Sequence, residues 1–458
     1  MTVEYILERL SEIVGPDWVA SKHELIERYL ADETAKGVRP KAASDVVVVK
    51  PSNAQEISQI LKLATDAGVP VFPRGGGTGL CGGAIPTRSG IVLSLERMDK
   101  IVEVDKDNLM VVAEAGVTLG QLEEAVEASG LFFPPHPGDE GAQLGGMIAC
   151  NAGGSRAVKY GIMRNYVKGL EVVVPTGEIL QLGGKLLKDN SGYDLMHLII
   201  GSEGTLAVIT QATLRLYPAF ASTATLIIPF ESRHAAVDVV PKMLQMGIIP
   251  LAVEYVEKDL VKLSAQALGL NWPCEEGSAQ LLITLAGENE EIVYDQCEKI
   301  AELAGNSGAA EAIIAERREE QGNILKVRSE IYTALKPKTF DIMDAAVPPA
   351  EMGHFMDAID EIASRFGTKI PLYGHAADGN LHAHIMDNVP PKDADAIKLA
   401  IYQEGVRLGG KITAEHGVGK IRNELLPLCL SPKAIELMKA IKGAFDPKGI
   451  LNPDCALS

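Results

Sequence analysis

The sequence lacks any pair of cysteines at C-x-x-C spacing: Cys81, Cys150, Cys274, Cys297, Cys429 and Cys455 lie far apart along 458 residues. Such scatter argues against an iron–sulfur cluster or a structural zinc, and a chain of this length needs no disulfides, so reduced thiols in a cytoplasmic protein are expected. No apolar run approaches the roughly 18 residues of a membrane span. Attachment to a membrane would therefore have to come through a partner. The start, Met1-Thr-Val-Glu-Tyr-Ile-Leu-Glu-Arg-Leu10, lacks the basic and apolar stretches of a signal peptide and reads as an amphipathic helix with Ile6, Leu7 and Leu10 on one side. Positive charge is also scarce. The 43 basic residues against 61 acidic ones leave a net charge of −18, a field that repels nucleic-acid phosphates and anionic lipid. Nucleic acid is excluded as a partner, and an anionic substrate must find local positive charge from Arg, Lys or a metal. There is no internal repeat or low-complexity tract, and 47% hydrophobic with 23% charged residues describes a folded chain.

What is present reads as an α+β protein. Asp45-Val-Val-Val-Val-Lys is a strand, Ser52-Asn-Ala-Gln55 resembles a capping box opening a helix through Asp66, and Pro70 to Arg74 is a second strand. Further strands are expected at Ile91 to Leu95, Met110 to Glu114, Leu170 to Val174 and Leu206 to Leu216, making residues 1–217 one lobe. A second begins near 218 with a strand at Thr223 to Pro229, a helix from His234 to Met246, a strand from Gln280 to Leu285 and a helix from Glu288 to Ala304. The last forty or so residues, helical from Leu428 to Phe445, fit either lobe.

Glycine marks the chemistry. Arg74-Gly75-Gly76-Gly77-Thr78-Gly79-Leu-Cys-Gly-Gly83 is a stretch whose main-chain N–H groups can surround phosphate oxygens without obstruction by Cβ. It contains G-x-G-x-x-G, yet Pro86 and Gly90 follow where a dinucleotide-binding helix would have to run, so an NAD site is rejected. Two further stretches, Pro137 to Ser155 and Gly201-Ser-Glu-Gly-Thr205, suit a long ligand with several polar parts.

The segments P-R-G-G-G-T-G at 73–79, L-G-G-M-I-A-C-N-A-G-G-S-R at 144–156 and G-S-E-G-T-L-A-V-I-T at 201–210 resemble the FAD lobe of the vanillyl-alcohol oxidase/p-cresol methylhydroxylase superfamily. Later segments, G-H-A-A-D-G-N-L-H at 374–382, A-E-H-G-V-G at 414–419 and F-D-P-K-G-I-L-N-P at 445–453, are similar to its D-lactate dehydrogenase, glycolate oxidase and D-2-hydroxyglutarate dehydrogenase branch. The resemblance implies a flavin lobe (1–217), an inserted α+β cap lobe (218–412) and a C-terminal segment (413–458) returning to the flavin. It implies that Arg74 to Gly79 hold the diphosphate and that Pro137, Gly138, Asp139, Gly145, Gly146, Asn151, Ala152, Gly153, Gly154 and Ser155 line the flavin. Gly201, Glu203, Gly204 and Ile209 would meet adenine or isoalloxazine, and Asn452 would close over the ring. Relatives that attach FAD covalently use a His where Thr78 stands, so noncovalent FAD is expected.

Oxidising a 2-hydroxy acid requires a base for the hydroxyl proton, a hydride acceptor and a grip on the carboxylate. His375, His382, His384 and His416 are four of nine histidines and fall within 42 residues together with Glu415. The resemblance implies a divalent metal (Zn²⁺, Fe²⁺, Mn²⁺ or Co²⁺) on His375, His382 and Glu415, His416 as the base, and Arg328 on the carboxylate, with Tyr332 and His384 beside the substrate. Departures from the 2-hydroxyglutarate enzymes at Tyr332, Ile342 and His384 favour a short monocarboxylate, D-lactate before glycolate. Asp378-Gly379 suggests a two-residue hairpin turn that sets His375 opposite His382 and Tyr373 opposite His384. With no cluster of its own, the protein is expected to pass electrons to an electron-transfer flavoprotein, an iron–sulfur subunit or a quinone. The alternatives are a direct oxygen-using oxidase, a D-2-hydroxyglutarate dehydrogenase and a non-catalytic flavin relay subunit.

Overall fold

The computed structural model describes residues 3–457, with side chains from Ile6 onward. Met1 and Thr2, the start of the expected amphipathic helix, lie outside the described residues. The helix Val3–Val14 buries Ile6 and Leu10 against the first hydrophobic core, with Leu7 partly buried beside them. Four buried valines, Val46–Val49, form a strand that is parallel to Gly90–Ser94, itself parallel to Val71–Arg74. The intervening helix Ala54–Ala67 starts one residue later than expected. Asn53 is its cap, accepting the Glu56 N–H at 2.9 Å, because the Glu56 carboxylate reaches back to the Ser52 N–H at 2.8 Å. A five-stranded antiparallel sheet follows, ordered Ile101–Asp105, Met110–Glu114, Val208–Arg215, Val167–Val173 and Ile179–Gly183. Both sheets share one core, to which Ile450 and Leu451 of the C-terminal segment return.

Residues from 222 onward build a seven-stranded antiparallel sheet, ordered Ile313–Ala315, Ser222–Phe230, Ala279–Gly287, Ala252–Glu257, Leu372–His375, Asn380–Met386 and Thr339–Ala346. Its strands are apolar on both faces because helices cover both. Arg233–Gln245, Glu290–Gly305, Met352–Arg365 and Pro391–Arg407 pack on one side, and Lys258–Leu268, Arg318–Ser329 and Ile331–Leu335 on the other. The α+β reading of the sequence holds. The expected helix from Leu428 is shorter: a 3₁₀ stretch ends at Leu428, and Ser431 with Pro432 starts a new helix, Pro432–Phe445. Among the described residues no helix is long and apolar enough to cross a membrane.

The histidine hairpin differs from expectation in register. Tyr373 pairs with His382 and His375 with Asn380, leaving Ala376 to Gly379 as a four-residue turn. The turn is anchored elsewhere: Ala376 N–H donates to Val253 O at 2.8 Å and Val347 N–H to Gly379 O at 3.0 Å. A slip of two residues preserves the face, so the His375 and His382 rings remain neighbours, now diagonal, with centroids 5.5 Å apart. Gly379 has φ +74°, and a Cβ there would lie 1.9 Å from the Val347 carbonyl oxygen. Gly379→Ala is expected to destabilise the fold by about 1–3 kcal/mol. An unchanged melting temperature in calorimetry would show that the turn relaxes freely.

Candidate functional site

The glycine stretches close around one cleft, open to solvent on one side. Close backbone approach is the reason for glycine here: a Cβ on Gly76 would lie 2.6 Å from the Gly141 carbonyl, and one on Gly77 would strike the Arg74 guanidinium. Arg74 lines the cavity as well, is buried, and donates to the Arg28 carbonyl at 2.9 Å. Gly75, Gly76, Gly77, Thr78 and Gly79 line the cavity, with Pro137, Asp139, Gly145, Gly146, Ala152, Gly153, Glu203, Gly204, Ile209 and Asn452. Gly138, Asn151, Gly154, Ser155 and Gly201 are outside the lining. Asn151 ends the helix Leu144–Cys150 in a left-handed conformation and accepts the Arg164 N–H at 3.0 Å, while Gly154 packs against the His136 carbonyl. Residues 75–89 form no helix, in keeping with the rejection of an NAD site. Leu80, Cys81, Leu95, Met147, Cys150 and Val208 also line the cavity and escaped the sequence reading, which followed polar and glycine signals.

Glu415 and His416 reach the same cavity from the C-terminal segment. Two buried carboxylates from opposite sides hold the turn that carries them. Asp344, on the strand Thr339–Ala346, accepts through Oδ2 the N–H groups of Ala414, Glu415 and His416 at 2.9, 2.9 and 2.8 Å and the Thr413 hydroxyl at 2.8 Å. Its other oxygen accepts Asn380 Nδ2 at 2.9 Å. Glu203, from the third glycine stretch, accepts the N–H groups of Val418 and Gly419 at 2.9 and 2.7 Å. A Cβ on Gly417 would press on the Glu203 carboxylate at 3.0–3.1 Å. Beneath the turn the buried Arg422 donates to the Gly417 carbonyl at 3.0 Å, the Ile342 carbonyl at 2.8 Å and the Tyr402 hydroxyl at 2.9 Å.

The turn meets the hairpin histidines. Nε2 of His375 and Nε2 of His382 each lie 3.4 Å from the same Glu415 oxygen. On its far side His375 Nδ1 bonds a Glu254 oxygen at 2.6 Å, an arrangement that fixes the ring and turns Nε2 toward Glu415. Two imidazoles and a carboxylate converging without thiolate fit a divalent first-row ion. Asp344, His382, Glu415 and His416 also offer ligand atoms within 4.8 Å of one another. Both Asp344 oxygens are already engaged, however, so Asp344 organises the turn and the His375, His382 and Glu415 set suits an ion better. The His416 ring stacks on His382 at 5.0 Å, and Nδ1 of each ring has no hydrogen-bond partner.

Burial, with help from His382, takes His416 down to about 4 against the pull of Asp344, so the ring is neutral and can accept a proton. Burial opposes charge on Glu415, yet His375 and His382 hold its carboxyl well below the usual range. His375 is the mirror case: burial resists protonation, but Glu254 and Glu415 raise it well above an ordinary histidine. Arg328 is buried, pairs with Glu254, and lies 5.0 Å over the Tyr373 ring, its Nε without a partner. Of the two remaining residues expected beside a substrate, His384 is fully buried, held by the Thr339 hydroxyl at 3.0 Å and the Tyr373 hydroxyl at 3.3 Å. Burial drops it to about 3, so it is a packed neutral ring behind the site. The Tyr332 hydroxyl is committed to the Glu33 carbonyl at 2.7 Å. Asp344, Glu254 and Arg422 are contributors the sequence reading missed.

Two family models match the chain, the FAD binding domain at residues 46–183 and the C-terminal domain of FAD linked oxidases at 220–455. D-lactate dehydrogenase of Archaeoglobus fulgidus is 44% identical over 443 residues, covering 95% of this chain and 98% of that one. Glycolate oxidase subunit GlcD of Bacillus subtilis is 37% identical over 461 residues, covering 99% and 97%. Among solved structures, p-cresol methylhydroxylase with substrate bound superposes with a TM-score of 0.78 at 17% identity, covering 99% of this chain and 96% of that one, a likeness of fold.

Because hydrogen bonds to a charged acceptor contribute about 1.5–3 kcal/mol, Asp344→Asn is expected to raise amide exchange at 414–416 by about tenfold or more. Residues 418 and 419, held by Glu203, should stay protected. Equal exchange in both proteins at 414–416 would remove Asp344 from its role.

Proposed function

This chain belongs to the FAD-linked oxidase family, and on that premise we propose that it is an FAD-dependent dehydrogenase converting a small D-2-hydroxy acid, D-lactate before glycolate, to the 2-oxo acid. The observation that carries this reading is that His416, neutral and lining the cleft that the glycine stretches enclose, stands beside the His375, His382 and Glu415 cluster. Residues 1–217 serve as the flavin lobe, 218–412 as the cap and 413–458 as the segment that brings His416 back. FAD is held noncovalently, since Thr78 offers no nucleophile at the position of the covalent link, and it supplies the two-electron acceptor for the Cα hydride. Arg328 grips the carboxylate of the substrate, and its charge supplies the local positive potential that the acidic chain otherwise lacks. His416 accepts the hydroxyl proton at Nε2, the atom that faces Glu415 at 3.8 Å. A Zn²⁺, Fe²⁺, Mn²⁺ or Co²⁺ ion on His375, His382 and Glu415 would make that hydroxyl more acidic. Electrons leave to an electron-transfer flavoprotein, an iron–sulfur subunit or a quinone, from a cytoplasmic protein that can sit at a membrane through its partner.

Anaerobic addition of D-lactate should bleach the flavin of the purified chain. His416→Ala should keep FAD and metal while the reduction rate falls by about a hundredfold or more. Wild-type protein whose flavin no 2-hydroxy acid bleaches would refute the reading. A separate check concerns the ion: chelation should abolish substrate reduction while FAD stays bound, and added metal should restore it. Full activity in protein shown metal-free by elemental analysis would leave the two histidines a structural role only.

A further inference from the structure

Among the described residues that line the cleft, two carry a buried side-chain polar atom with no hydrogen-bond partner: His416 at Nδ1 and Gln143 at Oε1. The first belongs to the site already described, and the second has no role in it. Gln143 immediately precedes the helix Leu144–Cys150, and its side chain caps none of that helix's N–H groups. Its main chain is fixed from several sides. The Gln143 carbonyl accepts the Met147 N–H at 2.9 Å, the Ala142 carbonyl accepts the Leu119 N–H at 2.9 Å, and the Leu144 N–H donates to the Val117 carbonyl at 2.8 Å. The side chain rests against the bare backbone of the first glycine loop. A Cβ on Gly75 would stand 3.4 Å from Gln143 Cβ and 3.6 Å from Oε1.

Leaving an amide oxygen shielded from water without a donor is costly, so its place on a ligand cleft calls for a donor from the ligand. The chemistry of FAD says which donor that is. The diphosphate that Arg74 to Gly79 would hold offers only acceptor oxygens, whereas the ribityl chain and the ribose attached to its two ends carry hydroxyls. We propose that Gln143 is an FAD-binding residue whose amide oxygen accepts a hydrogen bond from a sugar hydroxyl flanking the diphosphate. The inference rests on FAD occupying this cleft and adds a contact made by neither glycine nor charge. As an acceptor without a protein partner, Gln143 contributes nothing to the flavin-free fold through that oxygen, which separates a ligand role from a bracing one.

Gln143→Met keeps the length of the side chain and removes the acceptor. The full chain is titrated with FAD and binding is read as quenching of flavin fluorescence. The dissociation constant is expected to rise about tenfold, because a sugar hydroxyl is then left unpaired in the complex, while the melting temperature of the flavin-free chain does not fall. Gln143→Leu, the second variant, should do the same. FAD analogues lacking a single ribityl or ribose hydroxyl identify the sugar: wild-type protein should bind one of them about tenfold more weakly than FAD, whereas Gln143→Met should bind that analogue and FAD about equally. FAD affinity unchanged in both variants overturns the proposal. So does a flavin-free melting temperature lowered in both, or an analogue series in which every deletion weakens wild type and variant alike. If the wild-type chain binds no FAD, the cofactor reading falls; if it binds FAD and the variants match it, only the role of Gln143 does.

Discussion

A short turn between residues 413 and 419 would be free to fluctuate if its N–H groups faced water, because nothing in Thr-Ala-Glu-His-Gly-Val-Gly enforces a conformation. Two buried carboxylates remove that freedom. Asp344 takes the N–H groups at 414, 415 and 416, and Glu203 takes those at 418 and 419. Burying two carboxylates is costly unless each is satisfied, and here the turn itself does most of the satisfying. The dependence runs both ways, so the turn and the carboxylates stand or fall together. Glu415 and His416 are therefore placed by backbone hydrogen bonds, independently of any ligand that joins them. Glu203 comes from the lobe with the glycine loops and Asp344 from the seven-stranded sheet, so the turn also fixes how the cavity and the histidine hairpin face one another.

Charge follows the same economy. The chain is acidic overall, but around the site positive groups are concentrated and buried: Arg422 beneath the turn, Arg328 behind the hairpin, and His375, which Glu254 and Glu415 favour in its protonated form. Arg422 has no carboxylate in direct contact. Its donors go to two carbonyls, a tyrosine hydroxyl and the Cys81 sulfur, and its charge acts through space on Asp344 and Asp341. Arg328 is balanced by Glu254, which also holds His375. A single buried glutamate thus couples Arg328 to His375, and a shift in one must alter the hydrogen bonding of the other.

Much of this was legible in the residues. Alternating and β-branched runs marked the strands, because side-chain period follows from backbone geometry, and the glycines marked the cavity, because a Cβ at Gly76 or Gly77 collides with the chain around it. The partners of that turn were not legible. Asp344 lies 70 residues before the first N–H it binds and shares its strand with a second buried aspartate, Asp341, so neither periodicity nor spacing singles it out. Glu254 is hidden in the same way between Val253 and Tyr255. Such residues are set by which strand lies beside which, and strand order is a long-range property.

The hairpin shows why function can be readable where local geometry is not. The Asp-Gly pair suggested a two-residue turn, but Ala376 finds its partner on a neighbouring strand at Val253, and Val347 donates to the carbonyl of Gly379. Those outside bonds outweigh the local preference and open the turn to four residues. A slip of one would have sent His382 to the opposite face; a slip of two leaves Tyr373, His375, His382 and His384 together and only exchanges direct pairs for diagonal ones. Diagonal placement serves convergence well. Directly opposed imidazoles would stand side by side along the sheet, whereas the rings of His375 and His382 meet edge to face at 88° with both Nε2 atoms on one Glu415 oxygen. The face a residue occupies is set by parity along the strand, which the sequence carries, while the pairing within that face is set by the neighbours that anchor the turn.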